Sequence, residues 1–380
     1  MNHKRKPRVN LSVTNDVFTD QRVNKMARTL HGMGFDVSIT GVRRKNSQPF
    51  DPPYATVRRI PLVFHKKFLF YAEYNLKLFF FLLFKRFDLL VSNDLDTLLP
   101  NHLISRIFRL PIVYDTHEYF TGTPEIMNRP AVLNFWKTLE RWLFPRQKTI
   151  ITVNESIASL YDYQYGKKPH VVRNLPLYKQ PGEPKPPHTS GLPENRDIIL
   201  LQGAGINVDR GAEELVEAMR PEHGLSNCLL LIIGSGDVLP ALTRKVKQER
   251  LEDRVWFLGK MPHEQLYEYT RHAKIGATLD KDTNLNYRYS LPNKLFDYMM
   301  AGTPQLASDL PEIAHIINTY HTGMLIRHHD PTHIADCIQS MLADQERWKW
   351  WKNNCLTAAK VLCWENEERV VRQIYEPFLG

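Results

Sequence analysis

Residues 290–312 read Ser290-Leu-Pro-Asn-Lys-Leu-Phe-Asp-Tyr-Met-Met-Ala-Gly-Thr-Pro-Gln-Leu-Ala-Ser-Asp-Leu-Pro-Glu312. The order predicts a turn at Pro292 and a short helix, because apolar residues recur at helical spacing after it. That apolar side consists of Leu295, Phe296, Tyr298 and Met299. Gly302-Thr-Pro304 ends the helix, and a buried strand is expected around Leu306.

Three polar residues of this helix indicate what the segment binds. Asn293 and Lys294 stand at its start, where free backbone N–H groups and the positive end of the helix dipole favour phosphate. Asp297 lies one turn further in, where its carboxylate can accept hydrogen bonds from a ribose diol. The segment therefore predicts a nucleotide site.

The rest of the chain alternates apolar strands with amphipathic helices. Strands are expected at 9–13, 36–40, 88–91, 112–114 and 149–153 in the first half, and at 198–201, 229–233, 255–258, 275–278 and 305–307 in the second. A helix is expected at 21–33 and another near 211–219. This rhythm predicts two doubly wound parallel α/β sheets, whose ligands lie at the carboxyl ends of the strands.

Residues 177–196 are too rich in proline for regular structure and are predicted to form a linker or loop. The predicted domains are therefore 1–176 and 197–363, with a cleft between them. The last segment, 364–380, has a helical pattern.

The 290–312 segment resembles the nucleotide-sugar motif of retaining glycosyltransferases of the GT-B fold, family 4. The family pattern is E-x7-E followed by A-G-x-P-V-I-A-S. Asp297 falls on the second acid, but Tyr289 stands in place of the first. The resemblance covers nearly the whole chain and implies two Rossmann-like domains, with the helix in 364–380 completing the N-terminal one.

The loop Gln202-Gly-Ala-Gly-Ile-Asn-Val-Asp-Arg-Gly211 follows a strand and precedes a helix. Gly203 and Gly205 allow a ligand to approach the backbone, and Arg210 supplies a fixed positive charge. The resembling family has two basic residues here that hold the diphosphate. Arg210 matches the second, while the first falls near Gly205, so half of that pair is missing. The alternative is a plain strand-to-helix turn.

Two further loops match the family less specifically. Gly234 opens a Gly-Ser-Gly-Asp sequence that resembles the loop bordering the nucleotide. Lys260 and Met261 resemble the segment that flanks the base, where their backbone groups could contact its edge.

In the first half, Tyr114-Asp-Thr-His-Glu118 ends a predicted strand. The resemblance implies that His117 contacts the donor sugar near the reacting centre; the alternative is a structural histidine. Asp94 follows the neighbouring strand and either contacts the acceptor or caps a helix. Arg22 either meets an anionic acceptor group or pairs with Asp20, and the pairing is preferred.

Charge is distributed unevenly along the chain. The net charge is +9, but residues 1–175 hold 27 Lys and Arg against 14 Asp and Glu, and the remainder holds 23 against 27. Such asymmetry indicates an anionic partner for the first half. Residues 66–86 are aromatic and apolar between basic pairs, which fits either a buried helix or an interfacial helix on anionic lipid. The basic excess favours docking.

Other features exclude several classes. The four cysteines form no C-x-x-C pair, so reduced thiols in a reducing compartment are expected and a metal site is not. No signal peptide is evident, and the apolar run 78–84 is too short to span a bilayer. No nucleic-acid-binding module accompanies the basic charge. The expected location is cytoplasmic, including the inner face of the plasma membrane.

The resemblance implies a retaining glycosyltransferase that uses an NDP-sugar and needs no metal or other cofactor. Its acceptor would be a carbohydrate or a lipid-linked molecule, as in cell-surface polysaccharide or glycolipid biosynthesis. Arg210 and Lys294 would bind the diphosphate and Asp297 the ribose. Tyr289 leaves two alternatives open: a GT-B nucleotide-sugar 2-epimerase, or a catalytically degenerate binding partner. Asn284, Asn286 and Tyr287 are nearby polar substitutes for the missing acid.

Overall fold

The computed structural model describes residues 5–180, 182 and 191–379, without the side chain of Glu125. The chain divides into two compact units. The first unit consists of the residues up to Asn174 together with those from Trp364 onward, and the second unit is Leu175–Cys363. The C-terminal segment therefore belongs to the same unit as the N-terminal half.

The first unit is built on a parallel sheet of seven strands in the order β3-β2-β1-β4-β5-β6-β7. Their bounds are β1 Arg8–Ser12, β2 Asp36–Arg43, β3 Thr56–Pro61, β4 Leu89–Asn93, β5 Ile112–Asp115, β6 Thr149–Thr152 and β7 His170–Val171. Val9 pairs with Val37 on one side and Leu89 on the other, which puts β1 in the interior of the sheet. All residues of β4 are buried, as expected for a strand covered on both faces.

Helices cover this sheet. Their bounds are α1 Gln21–Met33, α2 Lys67–Phe84, α3 Leu98–Phe108, α4 Pro124–Met127, α5 Pro130–Leu143 and α6 Glu155–Tyr165. The start and end of α1 follow from its caps: the Asp20 carboxylate accepts from the Val23 N–H, and Gly34 adopts the left-handed conformation.

The C-terminal helix Trp364–Tyr375 packs in the same core as α1. Trp364 is buried and donates from Nε1 to the Thr29 hydroxyl at 3.3 Å. The Lys25 ammonium lies 5.1 Å from the centre of the same ring. Glu367 accepts from the backbone N–H of Arg173 and pairs with its side chain. These contacts connect the end of the chain to the first unit.

The second unit is built on a parallel sheet of six strands in the order β10-β9-β8-β11-β12-β13. The strands are β8 Asp197–Gly203, β9 Cys228–Gly234, β10 Val255–Gly259, β11 Ile275–Thr278, β12 Gln305–Ser308 and β13 Gly323–Ile326. The helices are α7 Ala212–Ala218, α8 Leu239–Gln248, α9 His263–His272, α10 Leu285–Arg288, α11 Asn293–Ala301, α12 Pro311–Tyr320, α13 Pro331–Ala343 and α14 Gln345–Val361. The helices pack on both faces, so β8 and β9 are almost continuously apolar.

The predicted α/β fold with two doubly wound sheets is confirmed, but three strands were not predicted. β3 and β13 are terminal strands of their sheets, and the alternating exposure of β3 weakens its apolar signal. β7 has only two residues. Of the predicted linker 177–196, residues 181 and 183–190 lie outside the described part of the chain, and Leu192 is buried in the second unit. Among the described residues, no helix is both long and apolar enough to cross a membrane.

Candidate functional site

In the second unit, three charged side chains meet at the carboxyl edge of the sheet. Asp280 lies just beyond the end of β11 and is fully buried. Its Oδ1 accepts from Nη1 of Arg210 at 2.9 Å, and the Lys294 ammonium lies 3.9 Å from its Oδ2. The structure thus brings together Arg210 and Lys294, which the sequence predicted, around an acid that it did not predict.

This cluster carries more positive than negative charge. One buried carboxylate faces two cations, and neither Oδ2 of Asp280 nor Nε of Arg210 has a hydrogen-bond partner among the described residues. Burial lowers the pKa of Lys294 and Arg210 lowers it further, while Asp280 opposes both effects. An anion near Lys294 would relieve the repulsion between the two cations. The cluster is therefore suited to binding an anion.

The local backbone and one aromatic ring fix Arg210 in place. Gly211 follows it with φ of +76°, and a Cβ there would lie 2.3 Å from the carbonyl oxygen of Leu279. Only glycine fits this close approach. The ring of Tyr287 lies beneath the guanidinium, 4.1 Å from its carbon to the ring centre. Tyr287 belongs to α10. The Asn284 side chain caps this helix by accepting a hydrogen bond from the Tyr287 N–H at 2.9 Å.

In the neighbouring loops, close packing requires glycine at one position but not at the other two. A Cβ on Gly234 would lie 1.8 Å from the carbonyl oxygen of Gly203, so the packing of the two loops requires this glycine. At Gly203 and Gly205 the nearest atoms would be 3.7 and 3.9 Å away. Because a side chain fits at Gly205, packing does not explain the glycine there.

Asp297 lies within α11 and is partly exposed. Its Oδ2 accepts from Nε2 of Gln202 at 3.3 Å, and Oδ1 lies 3.6 Å from Nε2 of His263. The hydrogen bond to Asp297 raises the pKa of His263, against a smaller opposing effect of burial. The carboxylate is thus held by two side chains while part of it remains open to solvent.

The other predicted donor residues lie at the same edge without joining the charge cluster. Asn293 is the exposed first residue of α11, and Lys260 is exposed immediately after β10. The substitutes proposed for the missing acid have local roles: Asn284 caps α10, while Asn286 and Tyr287 are buried.

In the first unit, Arg22 is buried and bound to Asp115. Its Nη2 donates to Oδ1 at 2.7 Å and its Nε to Oδ2 at 3.1 Å, while Nη1 donates to the Val172 carbonyl at 2.7 Å. The preferred prediction, a pair between Arg22 and Asp20, is wrong. Asp20 instead caps α1, and the guanidinium reaches the end of β5 because both lie at the carboxyl edge of the sheet.

His117 lies between carboxylates at this edge. Nδ1 is 3.4 Å from Oδ2 of Asp94, and Nε2 is 3.6 Å from Oδ2 of Asp115 and 3.2 Å from Oδ1 of Asn93. Burial disfavours the imidazolium, but the two carboxylates outweigh it and raise the pKa of His117 to about 9. The ring is therefore cationic at neutral pH and donates from both nitrogens.

Asp94 adopts an unusual backbone conformation for a residue with a side chain, with φ 60° and ψ 168°. Asp94 stands at the N-cap position of the short 3-10 helix Leu95–Thr97, but its side chain makes no capping hydrogen bond there. Oδ1 instead accepts from the backbone N–H of His117 at 2.8 Å. Conformations in this region cost on the order of 1–3 kcal/mol and concentrate at functional sites. In this conformation the Asp94 carboxylate lies against His117.

Asp96 is a second buried acid close to Asp94. Burial and the charge of Asp94 raise the pKa of Asp96 to about 8, although Oδ2 accepts from the Thr14 hydroxyl at 2.6 Å. Among the described residues, no group of three or more His, Cys, Asp or Glu side chains could hold a metal ion.

Helix α2 has one buried face and one exposed face. Phe70, Tyr74, Leu78 and Leu82 form the buried face. The opposite face exposes Phe68, Leu69, Leu76, Phe80 and Phe84 to solvent, with 48–80% of each side chain accessible. The flanking basic residues Lys66, Lys67, Lys85 and Arg86 are also exposed. The helix therefore contributes to the core and still presents a large apolar surface, which soluble monomers rarely expose.

Sequence reasoning missed three charged residues: Asp280, Asp115 and His263. Asp280 and Asp115 each lie at the carboxyl end of a predicted strand, and that position was a usable signal. His263 begins α9, and its approach to Asp297 depends on the packing of α9 against α11, which no local pattern indicates.

Comparison with known families gives two matches that together cover most of the chain. The model described as "Glycosyl transferases group 1" matches residues 185–356, and "Glycosyltransferase Family 4" matches residues 20–175. A curated relative, D-inositol 3-phosphate glycosyltransferase of Nocardia farcinica, is 25% identical over 197 residues. That match covers 50% of this chain and only 42% of the relative, so the similarity spans less than half of the curated protein.

Solved structures show the same fold over nearly the full length. Sucrose-phosphate synthase from Thermosynechococcus elongatus superposes with a TM-score of 0.81 at 18% identity, covering 98% of this chain and 99% of that one. Anabaena Alr3699/HepE in complex with UDP and glucose superposes with a TM-score of 0.73 at 14% identity, covering 98% and 100%.

Proposed function

The chain belongs to the family 4 glycosyltransferases of the GT-B fold, and we propose that it transfers a sugar, with retention of configuration, from an NDP-sugar to a carbohydrate or lipid-linked acceptor. The proposal assigns the donor nucleotide to the second unit and the acceptor to the basic first unit. It includes a role in the synthesis of cell-surface polysaccharide or glycolipid.

The observation that supports this assignment best is the Arg210–Asp280–Lys294 cluster at the start of α11. Two cations share one buried carboxylate, and the Arg210 Nε has no partner among the described residues. The amino-terminal N–H groups of α11 add a positive dipole end. A diphosphate matches this arrangement because its negative charges would interact with both the net positive charge of the cluster and the positive end of the α11 dipole. Anabaena Alr3699/HepE, solved with UDP and glucose, has the same fold and supports a nucleotide-sugar donor.

Asp297 lies three residues after Lys294 on the same helix, so a diphosphate at Lys294 would put a ribose within reach of the carboxylate. Its hydrogen bond to Gln202 and its ion-pair contact with His263 hold the carboxylate in place without enclosing it. We assign the ribose hydroxyls to Asp297. Gly203, Gly205, Gly234, Lys260 and Asn293 complete the proposed donor site.

The protein's contribution to the reaction is then electrostatic. When the sugar–phosphate bond breaks, negative charge develops on the diphosphate, and Arg210 and Lys294 stabilise it. In the proposed retaining mechanism, the leaving phosphate oxygen accepts the acceptor's proton on the same face of the sugar. His117 is cationic at neutral pH and both its ring nitrogens face protein oxygens, so we assign it a positive charge near the reacting sugar and not the role of a base. No metal is required in this scheme.

Tyr289 replaces the first acid of the family pattern and bears directly on whether the protein transfers the sugar. A phenol cannot provide the two acceptor oxygens that a carboxylate would offer to the sugar. Either the donor sugar is held by other groups, or the protein binds the nucleotide sugar without transferring it. Binding and transfer must therefore be measured separately.

The exposed face of α2 is proposed to contact an anionic membrane, where a lipid-linked acceptor would be found. Its exposed aromatic side chains could insert among lipid headgroups, and the flanking basic pairs could contact anionic lipid. Asp94 at the carboxyl edge of the same unit remains the proposed acceptor-side acid. Arg22 is buried in its pair with Asp115 and is assigned to positioning.

A thermal-shift screen against UDP-, GDP- and ADP-sugars tests the donor assignment. A ligand at about a hundred times its Kd stabilises the folded state by about 2.7 kcal/mol, which raises Tm by several degrees. One nucleotide series should stabilise the protein clearly more than the others. If none of the three does so, the second unit is not a nucleotide-sugar site. Stabilisation without sugar transfer to any acceptor would favour a binding partner.

A further inference from the structure

The first unit contains a cavity of about 1080 Å³ at the amino-terminal edge of its sheet. Its wall includes Ile112 and Thr149, the first residues of β5 and β6, and parts of α3 and α5. His117 follows the opposite end of β5. Because the two ends of a strand lie at opposite edges of a sheet, the cavity is separate from the His117 cluster.

All charged side chains in the wall are basic: Arg106, Arg109, Arg146 and Lys148. All four are exposed, and the described part of the wall includes no Asp or Glu to neutralise them. These basic side chains also affect the pKa of His102, which lies in the wall. Burial lowers the pKa of His102, and Arg106 and Arg146 lower it further. The cavity therefore has a positive potential that is not compensated from within.

Two uncharged residues, Gln147 and Trp142, form part of the wall between the basic side chains. Gln147 is fully buried; its Nε2 donates to the Leu143 carbonyl at 2.7 Å, whereas Oε1 has no partner among the described residues. Oε1 has almost no accessible surface, so Gln147 shapes the wall and does not contact a ligand in the cavity. Trp142 is 42% exposed; its ring contacts His102 and lies 5.8 Å from the Arg146 guanidinium, and its exposed part could contact an apolar part of the ligand.

We propose that this cavity is a second anion site, which binds a phosphate ester. Arginines suit this chemistry because their planar guanidinium groups can donate two hydrogen bonds to one phosphate. Arg106 lies on α3 and Arg146 just beyond α5, so the two approach the cavity from different helices. The site uses residues of the first unit alone and does not depend on the proposed donor site in the second.

Two sources could supply such a phosphate: a free sugar or polyol phosphate, and the headgroup of a phospholipid. Leu103 in the wall and Ile107 beside it are exposed apolar residues of α3, which is compatible with a lipid. A soluble probe and a vesicle probe distinguish the two sources.

The test is the double variant Arg106→Gln/Arg146→Gln. Its matched control is Lys137→Gln/Arg141→Gln, which removes the same charge from exposed positions of α5 outside the wall. Binding of glycerol 3-phosphate is measured by calorimetry. Binding to mixed phosphatidylcholine and phosphatidylglycerol vesicles is measured by co-sedimentation. Loss of two charge-assisted contacts should weaken binding about ten-fold or more in the cavity variant and hardly at all in the control.

The outcomes separate clearly. Weakened glycerol 3-phosphate binding in the cavity variant alone supports a soluble ligand. Vesicle binding that falls only in the cavity variant, without measurable binding of the soluble probe, supports a lipid headgroup. If both double variants lose vesicle binding equally and neither the parent nor the control binds glycerol 3-phosphate, the cavity is merely part of a generally basic surface and the proposal is overturned. Circular dichroism of both variants checks that the fold is retained.

Discussion

Arg22 and Asp115 form a buried, two-point ion pair in the first unit, with contacts of 2.7 and 3.1 Å between residues 93 positions apart in the chain. Asp115 also lies 3.6 Å from His117, so the pair borders the candidate site. Its function there is to hold the end of β5 at a fixed distance from α1. This relationship leads to the first prediction.

Arg22→Gln should destabilise the first unit strongly. The variant leaves the Asp115 carboxylate buried without its partner, and breaking one side of a buried pair typically costs about 3–5 kcal/mol. The Arg22 guanidinium, with a further contribution from His117, holds the pKa of Asp115 well below its usual range despite burial. Urea unfolding measures the loss. The control is Arg173→Gln, whose pair with Glu367 is in the same unit but more exposed. Equal losses in the two variants would contradict the special role of the buried pair.

His117 should make stability depend on pH in a defined window. Its pKa is raised from 6.5 to about 9 in the folded protein, because Asp94 and Asp115 outweigh the effect of burial. The stabilisation is therefore fully present below pH 6.5 and is lost as the pH rises towards 9. The shift corresponds to a contribution on the order of 3 kcal/mol at most. His117→Gln should flatten this part of the stability profile. A resonance of the His117 ring that titrates near 6.5 in the folded protein would refute the geometry.

The donor site gives a matched pair of variants. Arg210→Ala and Asp297→Ala should each weaken nucleotide-sugar binding about ten- to a hundred-fold, since a charge-assisted contact contributes about 1.5–3 kcal/mol. Arg220→Ala is the control, because Arg220 pairs with Glu249 in the same unit away from the candidate site. Calorimetry with the best nucleotide from the screen provides the affinities. Donor affinity unchanged in both test variants would exclude this site.

The sequence predicted the local elements well and the long-range pairs poorly. The helix expected after Pro292 is found as Asn293–Ala301, since helical periodicity and the Gly302 stop are both local signals. The approach of Asp280 to Arg210 is not local: it requires the ends of two strands to meet in the sheet. The same applies to Arg22 and Asp115, where the prediction chose the near neighbour Asp20 because distance along the chain was the available guide. Burial of Arg22, Asp115 and Asp280 depends on the tertiary structure, and no local sequence pattern indicates it.

Adding a basic residue at Gly205 tests the position of the proposed diphosphate site. Gly205 stands where the family has its first basic residue, and a Cβ there would lie 3.9 Å from its nearest neighbour. Gly205→Lys should therefore fold normally and tighten nucleotide binding by about three- to ten-fold, since one more cation faces the diphosphate. Gly234→Lys is the contrasting variant, because its Cβ would lie 1.8 Å from the Gly203 carbonyl and should destabilise the unit. Weaker nucleotide binding in a well-folded Gly205→Lys protein would place the diphosphate elsewhere.

The last prediction concerns the exposed face of α2. Purified protein should sediment with anionic vesicles, less with neutral ones, and dissociate in high salt, because basic residues near a membrane contribute about 1 kcal/mol each. Replacing Lys66, Lys67, Lys85 and Arg86 by Gln should weaken this binding without unfolding the protein, since all four are exposed. The matched control replaces four exposed basic residues of the second unit: Arg244, Lys247, Arg250 and Arg327.

Apolar insertion adds a second contribution that salt does not remove. Phe84→Ser and Phe68→Ser remove the two most exposed aromatic rings of the helix, at 80% and 64% accessibility, and leave its buried face intact. These variants should keep the salt dependence but bind less tightly at every salt concentration. If the parent protein ignores anionic vesicles at low salt, or if the second-unit control loses as much binding as the α2 variant, then α2 is not the docking element. The acceptor is then better sought among soluble carbohydrates, with the apolar face of α2 covered by a protein instead of lipid.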